Sequence, residues 1–491
     1  MSNLDKYEAI IGLEIHAQLL TESKAYSSDS AAYGGAPNTH VSVISLGHPG
    51  TLPRMNEKVI NYAIKAGLAL NCTINHYNEF SRKNYFYADM PKGYQISQFD
   101  TPICSEGYID LKMEEGIKRI NITRIHMEED SGKGLHDQDP YNTLIDLNRA
   151  GVPLIEIVTE PDFRSAKETY TFLTEIRKIV RYLNICDGNM EEGSMRCDAN
   201  VSIREKGSEQ LGNKVEVKNM NSLRNVQKAI QYEIKRQIEA TEKGERIDQD
   251  TMGFDVLKGV TFSMRSKEMV HDYRYFPEPD LPPITLTDDY INAVKEEMPA
   301  LPEALSKQFR DEYALSDYDA AVLTDTKEIA LYFNQLAEKI KSQKEDKKLY
   351  KSAANWISGP VKSYLNDKAL KIDQFPVSID TLLELILLVD SGKISFSIAS
   401  QRLFGELIKG HDSSVEQLAE KLGLLHESDD STLLEFINEA IAAYPDKVKD
   451  YRSGNKNLLG LFMGEVMKRS KGKADPKATN QLLIKTLNNA D

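Results

Sequence analysis

The stretch Ile11-Gly-Leu-Glu-Ile-His-Ala-Gln-Leu19 alternates strictly. Ile11, Leu13, Ile15, Ala17 and Leu19 fall on one face and Glu14, His16 and Gln18 on the other, the two-residue period of a strand with one face in a core. Arg196-Cys-Asp-Ala-Asn-Val-Ser-Ile-Arg204 repeats the pattern, with Cys197, Ala199, Val201 and Ile203 inward and Arg196, Asp198, Asn200, Ser202 and Arg204 outward. Lys214-Val-Glu-Val-Lys218 follows as a natural hairpin partner and adds Lys214, Glu216 and Lys218. Helical stretches intervene. Asn56 starts one striped by Val59, Ile60, Ala63, Ile64 and Leu68, Ser165 with Glu168 forms a capping box for another, and Ser222 caps a third. Strands and helices do not alternate in the βαβ manner, so the fold class is α+β with a mainly antiparallel sheet.

Texture changes near residue 290, where Pro277-Glu-Pro-Asp-Leu-Pro-Pro283 punctuates the chain and helix formers take over. Residues 295–410 read as a helical domain, Gly410-His-Asp-Ser-Ser414 as a linker, and 415 onward as short helices ending in a basic segment. At 491 residues the chain is long enough for about two to four domains. Its 61 Lys+Arg against 75 Asp+Glu give a net charge of −14, which on charge alone argues against a polyanion partner. Cys72, Cys104, Cys186 and Cys197 have no C-x-x-C spacing and suit a reducing compartment. The N-terminus lacks a signal-peptide core and no apolar run is long enough to span a bilayer, so a cytoplasmic protein is expected.

No Walker A loop, Rossmann glycine fingerprint, HExxH helix or G-x-S-x-G elbow is present. Chemistry would have to sit on a sheet face. Glu14, His16 and Gln18 offer one, although a solvated strand face would read the same. In Ile125-His-Met-Glu-Glu-Asp130, period two places Glu129 opposite to Glu128, so only one faces a given site unless a bulge intervenes. Val152-Pro-Leu-Ile-Glu-Ile-Val158 buries a single carboxylate, Glu156, in an apolar run. An unpartnered buried carboxylate costs on the order of several kcal/mol, so it must neutralise, pair or bind metal. Arg196, Asp198 and Asn200 array phosphate donors, an acid and an amide, with Glu191-Glu-Gly-Ser194 upstream. Acids with one histidine suit Mg2+ or Mn2+ bridging nucleotide phosphates. These residues point to a metal-dependent, ATP-using enzyme.

Several blocks then identify a resemblance. Glu8-Ala-Ile-Ile-Gly-Leu-Glu-Ile-His16, the run from Arg82 to Gln98, Leu147 to Val158, Met190 to Asn200, Glu216 to Ser222 and Asp272 to Asp280 closely resemble the GatB family, the B subunits of aspartyl/glutamyl-tRNA amidotransferases. The likeness runs in order over essentially the whole chain. It implies a cradle domain resembling the glutamine synthetase/guanidino kinase fold over 1–293, a helical domain over 294–412, and a YqeY-like tail over 413–491 that binds tRNA. It implies a heterotrimer with the GatA amidase and the small GatC subunit. ATP would phosphorylate the side-chain carboxylate of Glu-tRNA(Gln) or Asp-tRNA(Asn), and ammonia from GatA would displace the phosphate. Carried over by motif, His16, Glu129 and Glu156 resemble metal ligands, with Glu14 and Glu128 on a second ion's side. Lys83, Ser194, Arg196, Asp198, Asn200 and Lys218 resemble the nucleotide-facing set.

One departure stands out. Some members carry a four-cysteine zinc site after the first strand, and here those positions read Ser27, Asp29, Ser42 and Ser45. Zinc is therefore not expected, and Gly34, Gly35 and Pro37 with local packing are expected to hold the loop. Two other classes compete with the amidotransferase: a stand-alone carboxylate–amine ligase and a non-catalytic RNA-binding scaffold. The tail discriminates against the first. From Tyr451 on, Arg452, Lys456, Lys468, Arg469, Lys471, Lys473, Lys477 and Lys485 face only Glu465, Asp475 and Asp491, about +5 and suited to phosphate. The single-face acid constellation argues against the second.

Overall fold

The computed structural model describes residues 6–135, 138–264, 273–344, 346–410, 413–425, 430–470, 474 and 476–489. It divides into two compact units, Met1–Pro302 and Glu303–Asp491. In the first, the strands are β1 (Tyr7–Gln18), β2 (Thr73–Ile74), β3 (Tyr77–Asn78), β4 (Ser81–Asn84), β5 (Tyr94–Ser97), β6 (Cys104–Met113), β7 (Gly116–Glu129) and β8 (Lys133–Leu135). There follow β9 (Leu144–Asp146), β10 (Pro153–Thr159), β11 (Met195–Glu205), β12 (Val215–Lys218), β13 (Thr251–Asp255), β14 (Val260–Ser263), β15 (Phe276–Pro277) and β16 (Ile284–Thr285). Helices α1 (Glu57–Ala69), α2 (Ala166–Tyr182), α3 (Leu223–Glu242) and α4 (Asp288–Glu296) complete the unit.

Nine strands form one sheet in the order β14-β13-β12-β11-β1-β10-β7-β6-β2. Every pairing is antiparallel except that of β12 with β13. The alternation of β1 is the reason for its central place. Ile11, Leu13 and Ile15 are buried in one core with Val59 and Ile64 of α1, Phe172 and Ile176 of α2, and Val226 and Ile230 of α3. Each such side chain contributes about 1.5–3 kcal/mol, so a one-residue slip that turned the row outward is strongly disfavoured. Helices take this face and leave the polar face to the site.

The expected caps are in place at Asn56, which accepts from Lys58 N–H, and at Ser222, which accepts from Asn225 N–H. The capping box at Ser165 is half formed. Its hydroxyl accepts from Glu168 N–H, but the Glu168 carboxylate takes Arg164 N–H at 2.8 Å and pairs with Lys118 instead of returning to the cap backbone. An expected boundary at 293 falls inside α4, which packs on α1, and the compact unit continues to Pro302.

A small sheet, β15-β4-β5, overlies the end of β7. Arg82 of β4 clamps it with a bidentate ion pair to Glu278, both bonds at 2.8 Å, and a third contact to Asp280 at 3.1 Å.

The second unit is helical. Phe309, Tyr313, Phe333, Leu336, Trp356 and Leu385 are among its buried residues, and the apolar run near 382–389 is a helix, Ile379–Asp390. Leu433, Ile437, Phe462, Val466, Leu483 and Leu487 form a separate apolar cluster in the tail. His411 and Asp412 of the expected linker, and Lys471, Lys473, Asp475 and Asp491 of the basic segment, lie outside the described residues. Among the described ones, Arg469 pairs with Glu439 and Glu465, and Arg452 donates to Leu487 O. No helix among the described residues is long and apolar enough to cross a membrane.

Candidate active site

Antiparallel register builds the site. His16 of β1 lies across from Glu156 of β10 and from Arg196 of β11, and Glu156 lies across from His126 of β7. One rung of the sheet therefore reads Arg196, His16, Glu156, His126. Glu14 faces Asp198 on the next rung, and Asn200 faces Glu216 beyond it. Period two sends all of these side chains to the face opposite the helices.

At the centre, Glu156 Oε2 is 3.3 Å from His16 Nε2 and 3.4 Å from His126 Nε2, and His126 Nε2 is 3.0 Å from Glu128 Oε1. From the small sheet, Ser97 Oγ donates to Glu128 Oε1 at 2.8 Å and Gln95 Nε2 to Glu128 Oε2 at 3.1 Å. Burial alone would raise the pKa values of both carboxylates. It is outweighed by Lys83 and His126 at Glu128, and by His126 and His16 at Glu156, and both acids are held below the usual carboxylate range. Burial likewise disfavours the His126 imidazolium, but Glu128 and Glu156 raise its pKa to about 9. Glu14 goes the other way: burial, then Glu156, Glu216 and Asp198, push it up. Two neighbouring acids thus differ in proton affinity on one surface.

His16 and Glu128 of the cluster line a cavity of about 550 Å3 with Lys83, Tyr85, Gln95, Asp130, Arg196, Asp198 and Lys218, and Glu156 and His126 join it through their contacts with those two. Lys218 Nζ is 2.9 Å from both Asp198 and Glu216, Arg196 Nη2 is 2.9 Å from Asp130, and Asn200 Nδ2 donates to Glu14 at 3.0 Å. Burial lowers the Lys83 pKa less than Glu128, Tyr275 and Glu156 raise it, so the ammonium persists. His16, Glu128 and Glu156 each offer one donor atom, all within 4.8 Å of one another. Two carboxylates and an imidazole fit Mg2+ or Mn2+. The buried His126 Nδ1 has no hydrogen-bond partner among the described residues.

Two of the expected site residues, Glu129 and Ser194, lie apart from this cluster. β7 pairs with β10 in unbroken register from Glu129 to Arg124, so no bulge turns Glu129 round. Its carboxylate pairs with Lys92 and accepts Ile96 N–H at 2.9 Å, lining a second cavity of about 190 Å3 with Lys24 and Tyr26. The acid beside His16 and Glu156 is Glu128, and Glu14 stands next to the three donors, outside them. Ser194 is also displaced: its hydroxyl turns to Asp187 at 3.2 Å, and Gly193 lines the cavity in its place.

The loop after β1 is held differently from expectation too. Asp29 Oδ2 accepts from Ser42 N–H at 2.8 Å, Ser27 Oγ at 3.2 Å and Ser45 Oγ, while Ser27 and Ser45 are 3.1 Å apart. One carboxylate gathers the other three positions. Gly34, at φ +85°, has nothing within 4 Å of where a Cβ would stand, and Gly35 rests on the His40 ring.

Sequence reasoning misses His126, Asp130, Gln95 and Ser97. His126 and Glu128 share a face by the same period that separates Glu128 from Glu129, which is the available signal. Gln95 and Ser97 reach the site through tertiary packing of β5 on β7, which strand periodicity does not encode.

Residues 9–292 match the family model described as the GatB/GatE catalytic domain, and residues 332–487 the one described as the GatB domain. The chain is 47% identical over 482 residues to the B subunit of the aspartyl/glutamyl-tRNA(Asn/Gln) amidotransferase of Thermoanaerobacter pseudethanolicus, covering 98% of this chain and 99% of that protein. It is 46% identical to the protein of the same description from Thermodesulfovibrio yellowstonii, with the same coverage. It is 48% identical to that from a Synechococcus strain, covering 97% of both.

Proposed function

The chain belongs to the family of aspartyl/glutamyl-tRNA(Asn/Gln) amidotransferase B subunits, and from that premise we propose that its cavity carries the ATP-dependent step of tRNA-linked amide formation. The substrate is the side-chain carboxylate of a glutamate or aspartate esterified to tRNA(Gln) or tRNA(Asn). One carboxylate oxygen attacks the γ-phosphorus of ATP and ADP leaves. Ammonia then attacks the acyl carbon, inorganic phosphate departs and the amide forms. Ammonia comes from glutamine on the amidase subunit, GatA, with GatC completing the trimer. Activation is needed because a carboxylate is a poor electrophile until its oxygen becomes phosphate.

The observation that carries this reading is the rung Arg196, His16, Glu156, His126, with Glu128 beside it, of which Arg196, His16 and Glu128 line one cavity with Lys83 and Lys218. His16, Glu128 and Glu156 would hold a divalent ion, which when bound supplies charge neutralisation to the nucleotide phosphates. Arg196 and Lys218 bind phosphate oxygens on one flank, and Lys83 faces the developing charge from the other. Asp130 with Gln18 orients Arg196, through bonds of 2.9 and 2.6 Å. Ser97 and Gln95 fix the Glu128 carboxylate. The domain carrying this sheet is a cradle of the glutamine synthetase/guanidino kinase kind, followed by a helical domain and a tail that contacts tRNA, and the protein works in the cytoplasm.

Reconstitution with the amidase and the small GatC protein tests the reading. ATP-dependent conversion of mischarged Glu-tRNA(Gln) or Asp-tRNA(Asn), with stoichiometric ADP, is expected; amide formation that proceeds equally without ATP would overturn it. Removal of residues after 415 is expected to weaken tRNA binding with a steep salt dependence.

A further inference from the structure

A row of aromatic rings leads out of the active-site cavity. It begins at Tyr85, which lines the cavity beside Lys83. Tyr85 meets Tyr273 edge-on at 6.2 Å, Tyr273 meets Tyr275 at 6.1 Å, and Tyr275 stacks face to face on Phe99 at 4.2 Å and 11°. The rings come from chain segments more than 170 residues apart, joined by β15 pairing with β4. Arg274 stands between two of the tyrosines in the left-handed region, at φ 43°. Its carbonyl is pinned by Asn84 Nδ2 at 2.8 Å. A bulky residue at positive φ costs on the order of 1–3 kcal/mol and persists where the surroundings enforce it.

Among the described residues the far end of the row is open. Phe99 is 51% exposed although its other face is stacked. An aromatic ring of this size is normally driven into a core, and an exposed ring that ends an aromatic row begun at the cavity wall is a surface for another flat ring. Position on the sheet says which ring. Reading across from β12, the side chains are Lys218, Arg196, His16, Glu156, then His126 with Glu128, and the small sheet that the aromatic row adjoins overlies β7. The phosphate-binding cations stand on one flank of the acid cluster and the aromatic row on the other. A nucleotide whose phosphates lie at Arg196 and Lys218 leaves the aromatic flank to the second substrate. That substrate carries its reacting carboxylate on the last nucleotide of an unpaired strand, so its terminal base has no pairing partner and presents a free π-face. Stacking does not depend on charge, which suits a chain of net charge −14.

We infer that Phe99, backed by Tyr275, is the stacking platform for the unpaired terminal base of the aminoacylated strand, and that this stack places the esterified carboxylate over Glu128, His16 and Glu156. The inference rests on the aminoacyl-tRNA reading above. Phe99 is a positioning residue: it touches the base, not the reacting atoms.

The test uses the reconstituted trimeric complex and a short single-stranded mimic of the acceptor end carrying an amide-linked glutamate, made with its terminal base and as an abasic twin. Inhibition of transamidation by each is measured for wild type, Phe99→Ala and Phe99→Trp. Wild type and Phe99→Trp are expected to prefer the based mimic by about tenfold, the order of one base–ring stack. Phe99→Ala is expected to lose that preference while its KM for ATP stays unchanged. A preference that survives in Phe99→Ala, or a Phe99→Ala defect that falls on the KM for ATP, overturns the inference and leaves the amidotransferase reading standing. A wild-type complex that does not transamidate at all overturns both.

Discussion

Glu156 and His126 face each other across the β10–β7 pair, and Glu156 Oε2 stands 3.4 Å from His126 Nε2 while it lies 3.3 Å from His16 Nε2 on the other flanking strand. A single carboxylate oxygen is thus shared by imidazoles from both neighbours. Replacing it by an amide removes the charge that both rings and a divalent ion would share. Glu156→Gln is expected to lower ATP-dependent amide formation by about a hundredfold or more, with binding of aminoacyl-tRNA retained. Parallel activity and filter-binding measurements check the split, and equal loss of both would refute the assignment.

Glu128 and Glu129 are adjacent in the chain and serve different cavities. Titration with Mn2+, followed by electron paramagnetic resonance, should find that Glu128→Gln weakens binding of the ion by at least about tenfold. Glu129→Gln should leave ion binding as in the wild type. A larger effect at Glu129 would return that residue to the ligand set.

Arg82 is the clamp of the small sheet. The Glu278 side chain it pairs with is fully buried, so Arg82→Ala strands a carboxylate and should cost about 3–5 kcal/mol. Hydrogen exchange of residues 81–97 should rise with it. The double change Arg82→Met with Glu278→Leu should recover most of the loss, since no buried charge is then left unpaired.

Lys24 gives a pH signature. The residue is 1% exposed, and its ammonium donates to His40 O and Leu147 O. Burial lowers its pKa to about 8 against the pull of Asp29, Glu129 and Asp146, with Lys92 adding to the lowering. A base whose native pKa is depressed is penalised while it stays charged. Between about 8 and the unfolded value of 10.5 the unfolded chain holds a proton that the native one has released, so this residue's contribution to stability rises with pH there. Urea midpoints compared between wild type and Lys24→Met from pH 7 to 10.5 should shift in the wild type's favour as pH rises. A constant difference would refute the shifted lysine.

Much of the sheet was legible. Two-residue alternation in 11–19 and 196–204 assigned the faces correctly, because burial of one row enforces the register. The same rule foretold that Glu128 and Glu129 diverge; the family motif pointed to Glu129, and the unbroken ladder puts Glu128 on the face of His16 and Glu156. The helix caps at Asn56 and Ser222 were local and readable. The partners of Glu168 were not, since Lys118 lies 50 residues away. Gln95, Ser97 and the aromatic row reach the cavity only through packing of one sheet on another, which leaves no periodic trace.

Asp29 draws Ser27, Ser42 and Ser45 together with lone pairs alone. The cross-link is made of atoms that every newly synthesised chain already carries. What is given up is strength: several hydrogen bonds of about 0.5–3 kcal/mol each, dependent on one ionised carboxylate, stand where a metal centre would contribute more. Protonation of Asp29 in strong acid is expected to loosen this hub.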